Sequence, residues 1–175
     1  SFPTRRSSDL LDVVSLYVDQ RPKGDLTDER LARHPNLRLY PTIAEALTRG
    51  TGTLDVDGVA IIGEHGDYLR DDRGRTHYPR YEFFKQGVDV FRKTGKTAPG
   101  FNDKHLSWSW DWCKEMVADA RELNFPFLAG SSLPLTWRIP EYETPPDAGI
   151  EEAVCVGYGG VDSYDFHGLE SLQCF

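Results

Sequence analysis

No stretch of the 175-residue sequence approaches the roughly 20 consecutive apolar residues that a bilayer-spanning helix requires. A membrane is therefore not expected as a partner. Positive charge is also short, with 20 Lys and Arg against 28 Asp and Glu and a formal net charge of -8. That balance argues against nucleic acid or an anionic lipid surface as the main partner. It leaves a nucleotide cofactor open, because such phosphates are met by local backbone N–H groups. Cysteine is sparse. Cys113, Cys155 and Cys174 are odd in number and lack metal-ligand spacing, so reduced thiols in a cytoplasmic compartment are expected. There is no HExxH pattern, and no internal repeat. Residues 1–10, SFPTRRSSDL, carry neither a helical nor a strand period. Arg5-Arg6 would suit an export signal only with an uninterrupted apolar stretch behind it, and Asp9, Asp12 and Asp19 interrupt it. This leader is expected to be foreign to the domain or disordered.

What is present alternates between strands and helices. Val13–Val18 is a β-branched run ending at Asp19, followed by the turn Arg21-Pro22-Lys23-Gly24. Asp25 or Thr27 can open a short helix through about Arg33. Leu37–Tyr40 reads as a brief strand, and Thr42-Ile43-Ala44-Glu45 as a capping box. Val56–Ile62 is the most apolar strand and runs into Gly63-Glu64-His65-Gly66-Asp67. The polar stretch from Asp67 to Pro79, with a turn at Asp72-Arg73-Gly74, is a candidate lid or a disordered insertion. Tyr81, Phe84, Val88 and Phe91 recur at helical spacing, with Gly95 as the stop. After a strand near Phe101, Ser107 or Ser109 can cap a helix. Its buried stripe would be Trp110, Cys113, Met116, Val117, Ala120 and Leu123, with Lys114, Glu115, Asp119, Arg121 and Glu122 mostly outside. PFLAGSS is a further short strand. Strand and helix in succession predict an α/β fold with a parallel sheet.

After Pro134 the character changes. Residues 135–149 hold Pro140, Pro145 and Pro146 and read as an extended linker. Ile150–Tyr158 is expected to be a strand, and Ser163–Cys174 a helix. One strand and one helix cannot bury their apolar faces alone. Residues 150–175 are thus expected to begin a truncated α+β domain, after a first domain spanning 11–134.

Asn102-Asp103-Lys104-His105 lies where a strand turns into a helix. In parallel α/β sheets, ligands bind beyond the carboxyl ends of the strands. Four consecutive residues able to hydrogen-bond or titrate at such a corner make a candidate site. A solvated connecting loop is the plainer alternative.

Four pieces in order, VVSLYVD, LYPTIAEALT, VDGVAIIG and GKTAPGFNDKHLSWSWDWCKEMVADARELNFPFLAG, resemble the nucleotide-binding domain of the glucose-fructose oxidoreductase / inositol dehydrogenase (Gfo/Idh/MocA) family. The resemblance spans about 120 residues. It implies a Rossmann-like sheet and an NAD-dependent oxidoreductase acting on a sugar, a polyol or a related hydroxy compound. Asp19 matches the acid that binds the adenosine ribose hydroxyls, while the nearby Arg21 keeps NADP open. Gly63, Glu64 and His65 replace the family's cofactor-contacting turn. Lys104 falls on the lysine of the Glu-Lys-Pro motif, beside nicotinamide and substrate, with Asp103 setting its charge state. His167 and Glu170 in DFHGLE resemble the family's histidine and acid, and His167 would move the hydroxyl proton. An ordinary helix-face histidine is the alternative.

The sequence also departs from the family. The first strand and the glycine-rich phosphate loop would precede Asp19, where ten atypical residues cannot supply them, so the sheet is expected to lack its first strand. Glu-Lys-Pro is Asp103-Lys104-His105 here. The chain is expected to be a fragment of a divergent member, inactive alone, with a small-molecule substrate as partner and homo-oligomerisation open. Two other readings remain. One is a metal-dependent hydrolase or isomerase using Glu64, His65, Asp67, Asp103 and His105, although the spacing assigns no metal ligand. The other is a redox-dead sensor or scaffold.

Overall fold

The computed structural model describes residues 11–131 and 133–175; the expectation for residues 1–10 lies outside them. Ten main elements follow in chain order. They are β1 (Ser15–Leu16), α1 (Thr27–Arg33), β2 (Arg38–Leu39), α2 (Ile43–Thr48), β3 (Val59–Ile61), α3 (Arg80–Thr94), β4 (Gly100–Asp103), α4 (Trp110–Glu122), β5 (Phe127–Gly130) and α5 (Val161–Leu172). No helix among the described residues is long and apolar enough to cross a membrane.

The core forms where the helical period of α3 meets α4 and the sheet. Phe84, Val88 and Phe91 of α3 share one face and are buried, against Met116 and Ala120 of α4 and Phe125. Local signals set the helix ends. The Glu45 N–H donates to Thr42 Oγ1 at 3.1 Å, capping α2. The Glu45 carboxylate accepts from the Thr42 hydroxyl rather than from a backbone donor. Gly95 ends α3 at φ 67°, a left-handed conformation that glycine adopts without steric cost, and its N–H donates to Phe91 O.

β3, β4 and β5 form a parallel sheet with β4 in the middle; Ile61 registers with Asn102, and Asp103 with Gly130. Helices α3 and α4 supply the crossovers, so the architecture is α/β of the Rossmann-like kind. β1 and β2 make a second parallel pair. Among the described residues, β1 pairs only with β2 and β3 only with β4. A cavity of about 370 Å³ separates the facing strands, walled by Ser15–Asp19 on one side and Gly58–Ile62 on the other. The sheet is interrupted there, as a Rossmann-like sheet lacking its first strand would be.

Several expectations need correction. Val13–Val18 contributes only two residues of strand, because only Ser15 and Leu16 find a partner. On α4, Trp110 is 76 % exposed while Asp119 is buried. Met116 and Ala120 face inward as expected, with Cys113, Val117 and Leu123 half-buried, while Trp112 and Asp119 join the inward side in place of Trp110. Trp112 stacks on Tyr81 at 4.5 Å, and Asp119 takes Lys85 at 2.5 Å and Arg92 at 2.8 Å. Residues 67–79 form an ordered hairpin-like loop rather than a disordered insertion. Arg70 and Thr76 bridge, and Asp71 accepts the N–H groups of Arg73 and Arg75. Ile150–Tyr158 is extended, exposed and not a strand, since no neighbouring strand offers it hydrogen bonds.

Candidate functional site

β4 is the central strand of its sheet, between β3 and β5, and its carboxyl end carries buried Asn102 and half-buried Asp103. Asn102 is fully buried, donates from Nδ2 to Asp103 O at 2.9 Å, and leaves Oδ1 unpartnered. Lys104 follows with only 5 % of its surface exposed. Its ammonium is bound by the Glu64 carboxylate from the corner after β3. Burial pushes the Glu64 carboxyl up, but the hydrogen bond and charge of Lys104, with His65 and Arg80, outweigh it and hold the group below the usual range. Asp103 does not pair with Lys104. Successive residues at a strand end point to opposite faces, so the corner after the neighbouring strand supplies the counter-charge instead.

His105 turns its Nδ1 to Ser107 O at 3.0 Å. With Nδ1–H donated there, Nε2 keeps its lone pair. Burial and the nearby Arg80 lower its pKa and favour the neutral ring. Glu64, Lys104 and His105 share a cavity of about 150 Å³ with His65, Tyr78 and Arg80. The first turn of α5 closes it.

Three contacts fix α5 in that position. The Thr76 N–H donates to Asp162 Oδ2 at 3.1 Å, and the Ser131 N–H donates to Glu170 Oε2 at 3.3 Å. The Ser131 hydroxyl is hydrogen-bonded to His167 Nδ1. Gly130 at φ 147° allows this approach, since a Cβ there would lie 2.8 Å from Glu170 Oε2. Burial lowers the His167 pKa, and so does the charge of Lys104, against the opposing effect of Glu64, Asp103 and Glu170. Lys104 and Asp103 thus act on His167 only through space, and neither Asp103 nor His167 lines the cavity that Lys104 shares with Glu64 and His105.

Asp19 lies apart, past the end of β1, in the wall of the larger cavity. The hydroxyls of Tyr17 and Tyr68 donate to its two carboxylate oxygens, each at 2.8 Å. Burial first, then that hydrogen bond, pushes the Tyr68 pKa well above its ordinary value. Gln20 clamps Asp67 through N–H to Oε1 at 2.8 Å and Nε2–H to O at 3.2 Å, joining the β1 and β3 corners. Arg21 is turned away into ion pairs with Asp25 and Asp28. Gly63 is buried against Arg80, and His65 lines both cavities. The carboxylate of Asp19 retains lone pairs that can accept further hydrogen bonds.

Sequence reasoning missed Tyr17, Tyr68, Arg80 and Ser131. Tyr17 was accessible, because i and i+2 share a strand face with Asp19. Arg80 continues the α3 stripe at i−4 from Phe84. Tyr68 and Ser131 carry no local signal. The metal reading gains nothing from the geometry: among the described residues, no three His, Cys, Asp or Glu side chains gather as a metal set.

No family profile and no curated protein matches the chain. Solved structures similar to it include two oxidoreductases. The probable oxidoreductase yhhX shares 13% identity at a TM-score of 0.46, over 70% of this chain and 28% of that one. An oxidoreductase from Bacillus cereus shares 14% identity at a TM-score of 0.43, over 69% and 27%. The chain therefore spans little more than a quarter of either protein.

Proposed function

We propose that this chain is the nucleotide-binding part of an NAD(P)-dependent oxidoreductase, of the Gfo/Idh/MocA kind, that acts on a sugar, a polyol or a related hydroxy compound. The observation that carries the reading is the buried Lys104–Glu64 pair at the carboxyl end of the central strand, with His167 in its field. The dinucleotide would supply the hydride acceptor. Asp19 would hold its ribose hydroxyls, and the Gly63–His65 corner, which borders both cavities, would face its reacting end.

The chain's own residues then have distinct tasks. Lys104 donates a hydrogen bond to the substrate oxygen and stabilises the negative charge that develops there. Glu64 holds Lys104 in place through the ion pair. His167, with Nδ1–H given to Ser131 Oγ, presents Nε2 to receive the hydroxyl proton. The free cysteines Cys113, Cys155 and Cys174 suit a reducing, cytoplasmic compartment.

The test is an NADH fluorescence titration of the full-length protein, followed by absorbance at 340 nm with NAD and a panel of polyols and sugars. Saturable NADH binding and substrate-dependent NAD reduction are expected. Absence of both NADH and NADPH binding overturns the reading.

A further inference from the structure

Arg80 opens α3 on the helix face that carries Phe84 and Val88, and only 3 % of it is exposed. Its guanidinium holds five N–H donors and stays charged at any ordinary pH. Among the described residues it donates none of them to a protein acceptor. Nε is buried without a partner, and Glu64, Asp103 and Asp162 act on the group only through space. Its close contact is the Tyr78 ring, 4.7 Å from Cζ. A buried charge without hydrogen bonds is strongly unfavourable unless a ligand or water completes it.

Of the other charges nearby, Asp103 makes no side-chain hydrogen bond or ion pair among the described residues, while two more are engaged. Glu64 binds Lys104, and Asp162 accepts the Thr76 N–H. Arg80 is thus a cation on the wall of the 150 Å³ cavity whose guanidinium donors reach no protein acceptor among the described residues. The amino end of α5 reaches the same cavity through Asp162 and Ser163 and adds its positive dipole end.

We propose that Arg80 anchors a subsite for an oxyanion group, a carboxylate or a phosphate, carried by the substrate. The inference rests on the oxidoreductase reading and narrows it: the substrate is an acidic derivative of a sugar or polyol, not a neutral one. A guanidinium recognises such a group with two parallel N–H donors, a geometry that an ammonium cannot copy. Lys104, beside it, would address the reacting oxygen rather than the acid group.

The experiment is calorimetric titration of the full-length protein, without cofactor, using D-glucuronate, D-glucose 6-phosphate, inorganic phosphate and D-glucose as probes. At least one charged probe should bind tenfold or more tightly than glucose. Which sugar probe binds separates a carboxylate from a phosphate. Arg80→Lys keeps the charge and should weaken that binding about tenfold, the loss of one charge-assisted bond. Arg80→Met should abolish it; if that variant does not fold by circular dichroism, Arg80→Lys decides. Failure of every charged probe, or unchanged binding by Arg80→Lys, overturns the subsite. NADH titration of the same sample keeps the two readings separate. Cofactor binding without oxyanion binding removes only the subsite, and oxyanion binding without NADH removes only the oxidoreductase reading.

Discussion

Lys104 and Glu64 lie 40 residues apart in sequence, yet they form an ion pair at the carboxyl ends of adjacent parallel strands. The lysine is almost wholly buried, while a third of the Glu64 side chain remains exposed. The pair is therefore asymmetric, with a fixed cation and a carboxylate that solvent can reach.

That asymmetry predicts how Lys104→Met will behave in the full-length protein. Glu64 loses its partner but can rehydrate, so the stability loss should sit near the low end of the ~1–3 kcal/mol for an orphaned group. Turnover should fall by about two orders of magnitude or more, the usual scale for a polar group acting at the reacting atoms. Adding Glu64→Gln should recover part of the stability and none of the turnover. Thermal melts and initial rates read the two effects separately. A fully active Lys104→Met protein would return the corner to a plain connecting loop.

The sequence made some of this visible and hid the rest for physical reasons. Helices α2 and α3 were legible because the Thr42 and Gly95 caps and the α3 apolar spacing are local; α4 was legible from its spacing, although its N-cap residue Ser109 makes no side-chain cap hydrogen bond. So was the position of Lys104, at the break between a strand and a helix. Partners from distant segments were not, such as Glu64 on Lys104 or Tyr68 on Asp19, since nothing local encodes them. Ile150–Tyr158 has the composition of a strand, but a strand exists only where another edge pairs with it. Arg80 was the readable signal that went unread: a charged residue at i−4 from Phe84, on the stripe expected to be apolar.

Asp19 should discriminate between dinucleotides. Its carboxylate would accept from two ribose hydroxyls and repel a 2′-phosphate, whereas Arg21 is held by Asp25 and Asp28. Losing hydrogen bonds to a charged group costs ~1.5–3 kcal/mol. Asp19→Ala should therefore weaken NADH binding by roughly tenfold to a hundredfold while NADPH changes little. Equal loss for both cofactors would remove Asp19 from the site.

Gly66→Ala should loosen the bridge between the β1 and β3 corners. Gly66 sits at φ 143°, and a Cβ there would lie 2.4 Å from Tyr68 Cε2 and 3.1 Å from Gln20 Oε1. Both neighbours belong to the contacts that hold Asp19 and Asp67. Strain at such a position is of order 1–3 kcal/mol. The melting temperature should drop by several degrees, and Gly66→Ala combined with Tyr68→Ala should lose less than the sum. Strict additivity would show that the clash with Tyr68 is not the cause.

Asp119 ties α4 to α3 through Lys85 and Arg92, and it should govern the acid limb of stability. Burial raises its pKa, but the two cations outweigh that effect and hold the carboxyl below its ordinary value. A carboxyl depressed in the folded state contributes stability above its unfolded pKa and loses that contribution as pH falls through the folded one. The wild-type protein should therefore lose stability progressively below about pH 4, the ordinary aspartate range. Asp119→Asn keeps the shape and removes the titration. Its stability should be lower near neutral pH and flatter between about pH 5 and pH 2, so that the two curves converge in acid. Lys85 and Arg92 are each about a third exposed, so their rehydration should keep the neutral-pH loss to ~1–3 kcal/mol. Urea unfolding at a series of pH values measures both features. Parallel curves for the two proteins would mean that Asp119 does not titrate with folding.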